Sequence, residues 1–258
     1  MWFFTKVGLT FLKAIAPLFY IGKRKFGNTV HMNFRKNIKF ATRVNSQDLI
    51  ILHEIFKAKC YEKAKIRKND VVVDIGAHIG GYSILATKLG GKVFAYEAMP
   101  ENYELLIENL KINNCKRVKS YNVAVSSKKG EILLNVDRTG NGLHSIYPDS
   151  SSKETIKVPS IDLHEIFVNN RLNQIDVLKI DVEGAEYEII LHARPEDLQK
   201  IKTIIMEYHD YFDHGHNNAE LKSVLIKNGF AVKDISSWHQ NVLFKSGVIL
   251  ASRERLPN

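Results

Sequence analysis

The chain has 258 residues, 45% hydrophobic and 25% charged, the proportions of a soluble globular protein: one domain with an extension, or two small domains. Its net charge of +9 is unevenly placed: residues 1–70 hold 15 Lys+Arg against 4 Asp+Glu, whereas residues 71–258 hold 22 against 24. Two cysteines, Cys60 and Cys115, stand in no metal or redox spacing; they exclude a thiolate site and read as reduced thiols of a cytoplasmic protein.

The basic N-terminal quarter predicts an anionic partner: a membrane surface, a phosphate-bearing carrier or a nucleic acid. The competing reading is a solvated basic face with no partner. Lys6, Lys13 and Pro17 interrupt the apolar leader, so no run of ~18 uncharged apolar residues remains for a spanning helix. It also lacks a basic start and a small-residue cleavage site, which argues against a signal peptide. Phe4, Val7, Phe11, Ile15 and Leu18 recur at helical steps, and Lys23-Arg24-Lys25 follow. That stripe fits a helix lying in a membrane interface, and equally one docked on the protein's own core or at an oligomer contact.

Phe26 to Arg43 reads as short irregular strands, and Gln47 to Ala64 as a helix running into the basic stretch Lys63 to Lys68. Strand–helix alternation then begins. Val71 to Ile75 is an apolar strand of the kind buried on both faces. Ile79 to Lys88 is a helix ended by Gly90-Gly91, Lys92 to Glu97 a second strand, and Pro100 to Asn113 a helix with proline in its first turn. Arg117 to Ala124 is a third strand, followed by a strand-like Ile132 to Asp137. Residues 138–155, rich in Gly, Ser and Asn, form a surface loop that covers or shapes a site.

Ile156 to Pro159 and a helix from Asp162 precede a fourth strand, Ile175 to Ile180. Ala185 to Leu191 is helical, Ile201 to Tyr208 a fifth strand and Asn218 to Lys227 a fifth helix. Phe230 to Ile235 and Val242 to Leu250 close the sheet as an antiparallel pair. The expected fold is α/β: a Rossmann-like, doubly wound, mostly parallel seven-stranded sheet with an antiparallel final pair. A basic helical extension (residues 1–67) precedes this domain (residues 68–258).

Asp74 and Glu97 end two apolar strands 23 positions apart, the spacing of a strand, glycine turn, helix and strand. Gly76, Gly80 and Gly81 permit close approach to the backbone, and Glu97 can accept both hydroxyls of a ribose. GAHIGG is not the dinucleotide fingerprint. An acid directly before its first glycine would repel a pyrophosphate at the helix N-terminus. It suits a cofactor that has no phosphate and carries positive charge, S-adenosylmethionine. Asp74 can orient the methionine ammonium, directly or through water.

A second constellation is KIDVEGAEYEII, whose strand delivers Asp181 and Glu183 to the edge beside the first strand. A third, MEYHD, brings Glu207, His209 and Asp210. Together they offer a general base, or oxygen and nitrogen ligands for a metal. The base reading is taken, with no metal ligand assigned.

These segments, in this order, resemble the FkbM-type methyltransferases, a branch of the class I S-adenosylmethionine-dependent enzymes. The resemblance rests on VVVDIGAHIGGYSI, VFAYEAMPENYELLIENLKINN, NVAVSSKKGE and, most specifically, VLKIDVEGAEYEIIL. It spans roughly Lys68 to Phe244 and implies methyl transfer to hydroxyl oxygens of sugars, glycans and secondary metabolites. It places Asp74, Gly76 and Gly80 at the methionine end of the donor and Glu97 at the ribose. Ala98 and Met99 would lie beside the adenine, with Asn122 and Ala124 on its other side, and Asp181 and Glu183 near the transferred methyl. His78 stands where many relatives carry Asn, and is read as a hydrogen-bonding variation. Gly142-Leu143-His144-Ser145 falls where relatives place a short Ser-containing segment, and is expected to contact the acceptor.

The expected reaction is an in-line displacement at the sulfonium methyl, with Asp181 or His209 taking the alcohol proton. The acceptor is a sugar, glycan or lipid-linked saccharide, handled by a cytoplasmic protein peripheral to the inner membrane face. The rival is an RNA methyltransferase that uses the basic extension to hold phosphates. Against it stand the missing NPPY-type tetrapeptide and the acidic KIDVEG strand. A third reading is a nucleoside-binding scaffold without catalysis.

Overall fold

The computed structural model describes residues 20–26, 29–34, 38–43, 46–136, 154–210, 215–236 and 246–254. The apolar stripe from Phe4 to Leu18, the Gly142–Ser145 segment and the expected start of the last strand at Val242 lie outside them. Tyr20–Phe26 (β1), Thr29–Phe34 (β2) and Lys39–Arg43 (β3) form a three-stranded antiparallel sheet. Asp48–His53 (α1) continues in wider π-type turns to Ala58 and stops at Lys59, whose φ of 57° is left-handed. The described part of the basic extension is this sheet, in the region where the sequence suggests short strands over Phe26 to Arg43, followed by α1 where it suggests a helix from Gln47; Lys23-Arg24-Lys25 lie in β1.

The core runs Val71–Ile75 (β4), Gly81–Lys88 (α2), Lys92–Tyr96 (β5), Pro100–Ile112 (α3) and Val118–Tyr121 (β6). Ala124–Val125 (β7), Gly130–Val136 (β8) and Glu154–Ile161 (β9) follow, then Leu163–Asn170 (α4), Ile175–Ile180 (β10), Glu186–Leu191 (α5) and Pro195–Leu198 (α6). Ile201–His209 (β11), Asn218–Lys227 (α7), Ala231–Asp234 (β12) and Ser246–Ser252 (β13) complete it. The seven-stranded sheet has the order β12-β13-β11-β10-β4-β5-β6. Its β4, β5, β6, β10 and β11 are parallel, while β13 runs antiparallel to both β11 and β12. This is the expected doubly wound sheet, its central strands buried as their apolar runs require.

Two features depart from the strand-by-strand expectation. The third strand ends at Tyr121, and the chain leaves the sheet so that β7 joins β9 and β8 in a separate small sheet. Asn122 makes this exit: its amide donates to the carbonyls of Glu97 (2.9 Å) and Ala98 (3.1 Å). Residues 38–64 also share apolar clusters with the main domain. Phe40 and Leu52 pack with Ile79, Ile84 and Leu106, while Ile55 and Tyr61 pack with Val72 and Tyr82.

Candidate active site

From β4 the sheet continues outward to β5 and β6, and from β10 to β11, so the strand order reverses between β4 and β10. A crevice at their C-terminal ends follows from that reversal. Gly76 sits there at φ 76°, and a Cβ on it would lie 1.8 Å from the Asp181 carbonyl oxygen. Only glycine lets the two strand ends come this close. Gly80, at φ 92°, serves packing instead. A Cβ there would strike Leu106 at 2.6 Å, so the bare glycine seats the start of α2 on α3.

Gly76, His78, Glu97, Ala98 and Ala124 line one cavity, with Asp181 and Glu183 at its acidic end; Asp74, Gly80, Asn122 and His209 do not line it. Asp74 is fully buried. It accepts a 2.6 Å bond from the Ser83 hydroxyl, and its Oδ1 lies 3.3 Å from Lys179 Nζ. Its reach to the crevice is through Lys179, which donates to the Gly76 carbonyl at 2.8 Å and lies 3.5 Å from Asp181 Oδ2. Burial opposes the charge of Lys179, but Asp74 and Asp181 outweigh it and hold the ammonium above the ordinary lysine range. Sequence reasoning missed this lysine. The available signal was a lysine set between apolar residues near the C-terminal end of a central strand.

Glu97 accepts from the main-chain N–H of His78 (2.7 Å) and Met99 (2.9 Å) and from the Asn102 amide (3.3 Å). Burial still raises its carboxyl above the usual range despite these bonds. Met99, Ala124, Leu134, Val136 and Val158 form an apolar wall where the small sheet closes over this end.

At the acidic end the Tyr61 hydroxyl lies 2.9 Å from Asp181 Oδ2 and 3.4 Å from Glu207 Oε2. Glu183 has a left-handed φ of 49°, and Gly184 follows at 103°. His209 Nδ1 lies 2.9 Å from the buried Glu186, while its Nε2 is 3.6 Å from Glu183 and 3.9 Å from Glu207. Burial would lower His209, but Glu183 and Glu186 reverse the balance and hold the imidazolium well above the ordinary histidine range. Burial would raise Asp181, yet Lys179, His209 and the Tyr61 hydroxyl keep it below the usual carboxylate range. Glu207 goes the other way, pushed up to about 8 by burial and by Asp181. Asp181, Glu183 and His209 each offer one ligand atom, all within 4.8 Å of one another, so the trio has the spread of a metal site. Asp210 turns away and bonds Tyr187 and, at 2.6 Å, Asn218.

A family model described as "Methyltransferase FkbM domain" matches residues 74–232. The chain belongs to the FkbM methyltransferase family. Methyltransferase sdnD of Sordaria araneosa is 26% identical over 221 residues, 73% of this chain and 84% of that one. Hexuronic acid methyltransferase AglP of Haloferax volcanii is 32% identical over 144 residues, 55% of this chain and 57% of that one. The 31-O-demethyl-FK506 methyltransferase FkbM of Streptomyces tacrolimicus is 23% identical over 201 residues, 65% of this chain and 77% of that one.

The cofactor of this FkbM-family methyltransferase is S-adenosylmethionine, and the cavity can be tested against it. Among the described residues, His78 Nδ1, the Tyr82 hydroxyl and Asn102 Oδ1 are buried without a hydrogen-bond partner, and all three residues line the cavity. Burial without a partner costs about 1–3 kcal/mol per group, which a polar ligand would relieve. Glu97 spends three bonds and keeps lone-pair capacity for a ribose hydroxyl. The apolar wall beside Met99 suits a base, and the carboxylates at the far end suit a sulfonium and an ammonium. The residues present fit the donor.

Proposed function

We propose that this methyltransferase acts on a hydroxyl oxygen of a sugar, glycan or lipid-linked saccharide. Two relatives support the reading by name: AglP is a hexuronic acid methyltransferase, and FkbM is named for methylation at an oxygen. The observation that carries it is an ionised carboxylate, Asp181, at the cavity's end beside the Gly76 turn.

Bound S-adenosylmethionine supplies an activated methyl group, so the protein's work is alignment, exclusion of water and disposal of one proton. Of the two expected proton acceptors, His209 is already protonated and cannot accept, whereas Asp181 is ionised. Asp181 takes the proton of the acceptor hydroxyl at its carboxylate, with Tyr61 and Lys179 fixing its orientation. A low-pKa base suffices because the alcohol becomes strongly acidic as its oxygen bonds to carbon. His209, locked by Glu186, positions Glu183 and Asp181.

The same carboxylates disfavour a polyanion, which lowers the RNA reading. Incubating the protein with methyl-labelled donor and separate glycan, lipid and RNA extracts tests both. Label is expected in the glycan or lipid-linked fraction; label confined to RNA would overturn the proposal. The basic extension is proposed to hold the enzyme peripherally on the inner, anionic face of the cytoplasmic membrane. Salt-sensitive co-sedimentation with anionic liposomes is the expected result, and indifference to them would remove the idea.

A further inference from the structure

His78 stands in the donor turn at φ 51°, a left-handed conformation that few side chains adopt readily. Its main-chain N–H is committed to Glu97 at 2.7 Å, which holds the turn in place. Two groups from the chain preceding the sheet domain meet the ring. Arg43 NH2 lies 3.2 Å from His78 Nε2, and Asp48 Oδ1 lies 3.4 Å from the same nitrogen. Asp48 is fully buried and already accepts from the Arg43 N–H (2.7 Å), Nε (3.2 Å) and NH2 (2.7 Å). Ser46 closes this knot, its hydroxyl donating to the Arg43 carbonyl at 3.1 Å.

These contacts bear on where the protons around Nε2 lie. A guanidinium only donates, and NH2 carries two hydrogens. One serves Asp48 Oδ1, leaving the second for His78 Nε2 as acceptor. Burial pushes the imidazole down to about 4, with Asp48 and Arg43 acting in opposite senses, so the ring is neutral at neutral pH. A neutral ring whose Nε2 accepts carries its proton on Nδ1. That atom is buried, has no hydrogen-bond partner among the described residues, and belongs to a residue lining the donor cavity.

We infer that the Arg43–Asp48 pair fixes His78 as the Nδ1–H tautomer, making it a hydrogen-bond donor to an acceptor oxygen of the methyl donor. Arg43 and Asp48 thereby belong to the donor site as positioning residues. This role is the same whichever molecule receives the methyl group.

Long-range 15N–1H spectra of the full chain, free and saturated with S-adenosylhomocysteine, read the tautomer directly. Calorimetry with the same ligand reads affinity. The wild-type ring is expected as Nδ1–H, with its Nδ1 signal moving on saturation. His78→Phe is expected to weaken binding about tenfold, the worth of one hydrogen bond, while His78→Asn, whose amide can donate, stays within about threefold. Arg43→Met is expected to move the proton to Nε2, facing Asp48, and to match the loss of His78→Phe. An Nε2–H tautomer in the wild type, or wild-type affinity in His78→Phe, would overturn the inference even if Arg43→Met proved unable to fold.

Discussion

Asp181 is ionised because of its neighbours, and each of them comes from a different part of the chain. Lys179 stands on the same strand, Tyr61 follows α1, and His209 ends β11. Asp181→Asn keeps the shape and removes the proton acceptor. Turnover is expected to fall by ~10²-fold or more while S-adenosylhomocysteine affinity stays within a few-fold. Turnover near wild type would remove Asp181 from the mechanism. Glu207 gives a stability test. Its carboxyl is pushed up to about 8, above its ordinary value, so the folded state binds that proton more tightly than the unfolded chain. The stabilisation is complete below the unfolded value and is lost as pH rises through 8. Glu207→Gln is expected to melt with the wild type near pH 5 and several degrees higher above pH 8, on the scale of about 1–3 kcal/mol. His209 also loses its proton with rising pH in both proteins, and Glu207 ranks behind Glu183 and Glu186 among the groups that hold that proton, so the difference between the curves reports chiefly on Glu207. Parallel melting curves would mean that Glu207 is not the strained group.

At the scale of elements, β3 is held by an unusual edge. One side pairs with β2, and the other meets asparagines of α3 and its C-terminal cap instead of a strand. Asn109 accepts from the Ala41 N–H (2.6 Å) and donates to the carbonyls of Ala41 (3.1 Å) and Ile79 (2.9 Å). Asn113 does the same for Lys39, at 3.0 and 2.6 Å. Asn109→Ala would strand three backbone groups and is expected to cost about 2–3 kcal/mol, read as a lower denaturation midpoint. An unchanged midpoint would mean water replaces the side chain. In the sequence these asparagines look like solvated residues at a helix end. Only the approach of β3, some 70 residues away in the chain, makes them the clasp that brings Arg43 and α1 to the donor turn.

For the molecule as a whole, the basic N-terminal quarter marks a change in composition, while the packing runs across it. Leu52, Ile55 and Tyr61 are buried in clusters built on the main sheet, and Gly81 meets the Ile55 side chain closely enough that a Cβ would lie 2.7 Å from it. A chain of residues 68–258 alone is expected to lose its cooperative melting transition and its S-adenosylhomocysteine binding. Wild-type melting and affinity in that fragment would show that the extension is dispensable for the fold and the donor site.

The order of strands and helices was legible because it rests on local physics. Short, mostly apolar runs rich in Val and Ile such as Val71–Ile75 and Ile175–Ile180, bounded by turn signals, read as buried strands, glycines and prolines mark the ends of helices, and the final antiparallel pair follows from short apolar segments after the last helix. Gly76 was legible as a close-approach position, and Glu97 as an acid at the strand tip. Tertiary structure alone decided which acids face the cavity. Asp74 and Asp181 both end mostly apolar strands, yet one is sealed beneath Lys179 and Ser83 while the other opens to the cavity. Charge state was decided the same way, since His209 and Glu207 share one strand end and owe their opposite departures from ordinary chemistry to burial and to neighbours from other elements. Periodicity reports which residues leave water; the neighbours they meet are set by long-range packing, and no local pattern encodes it.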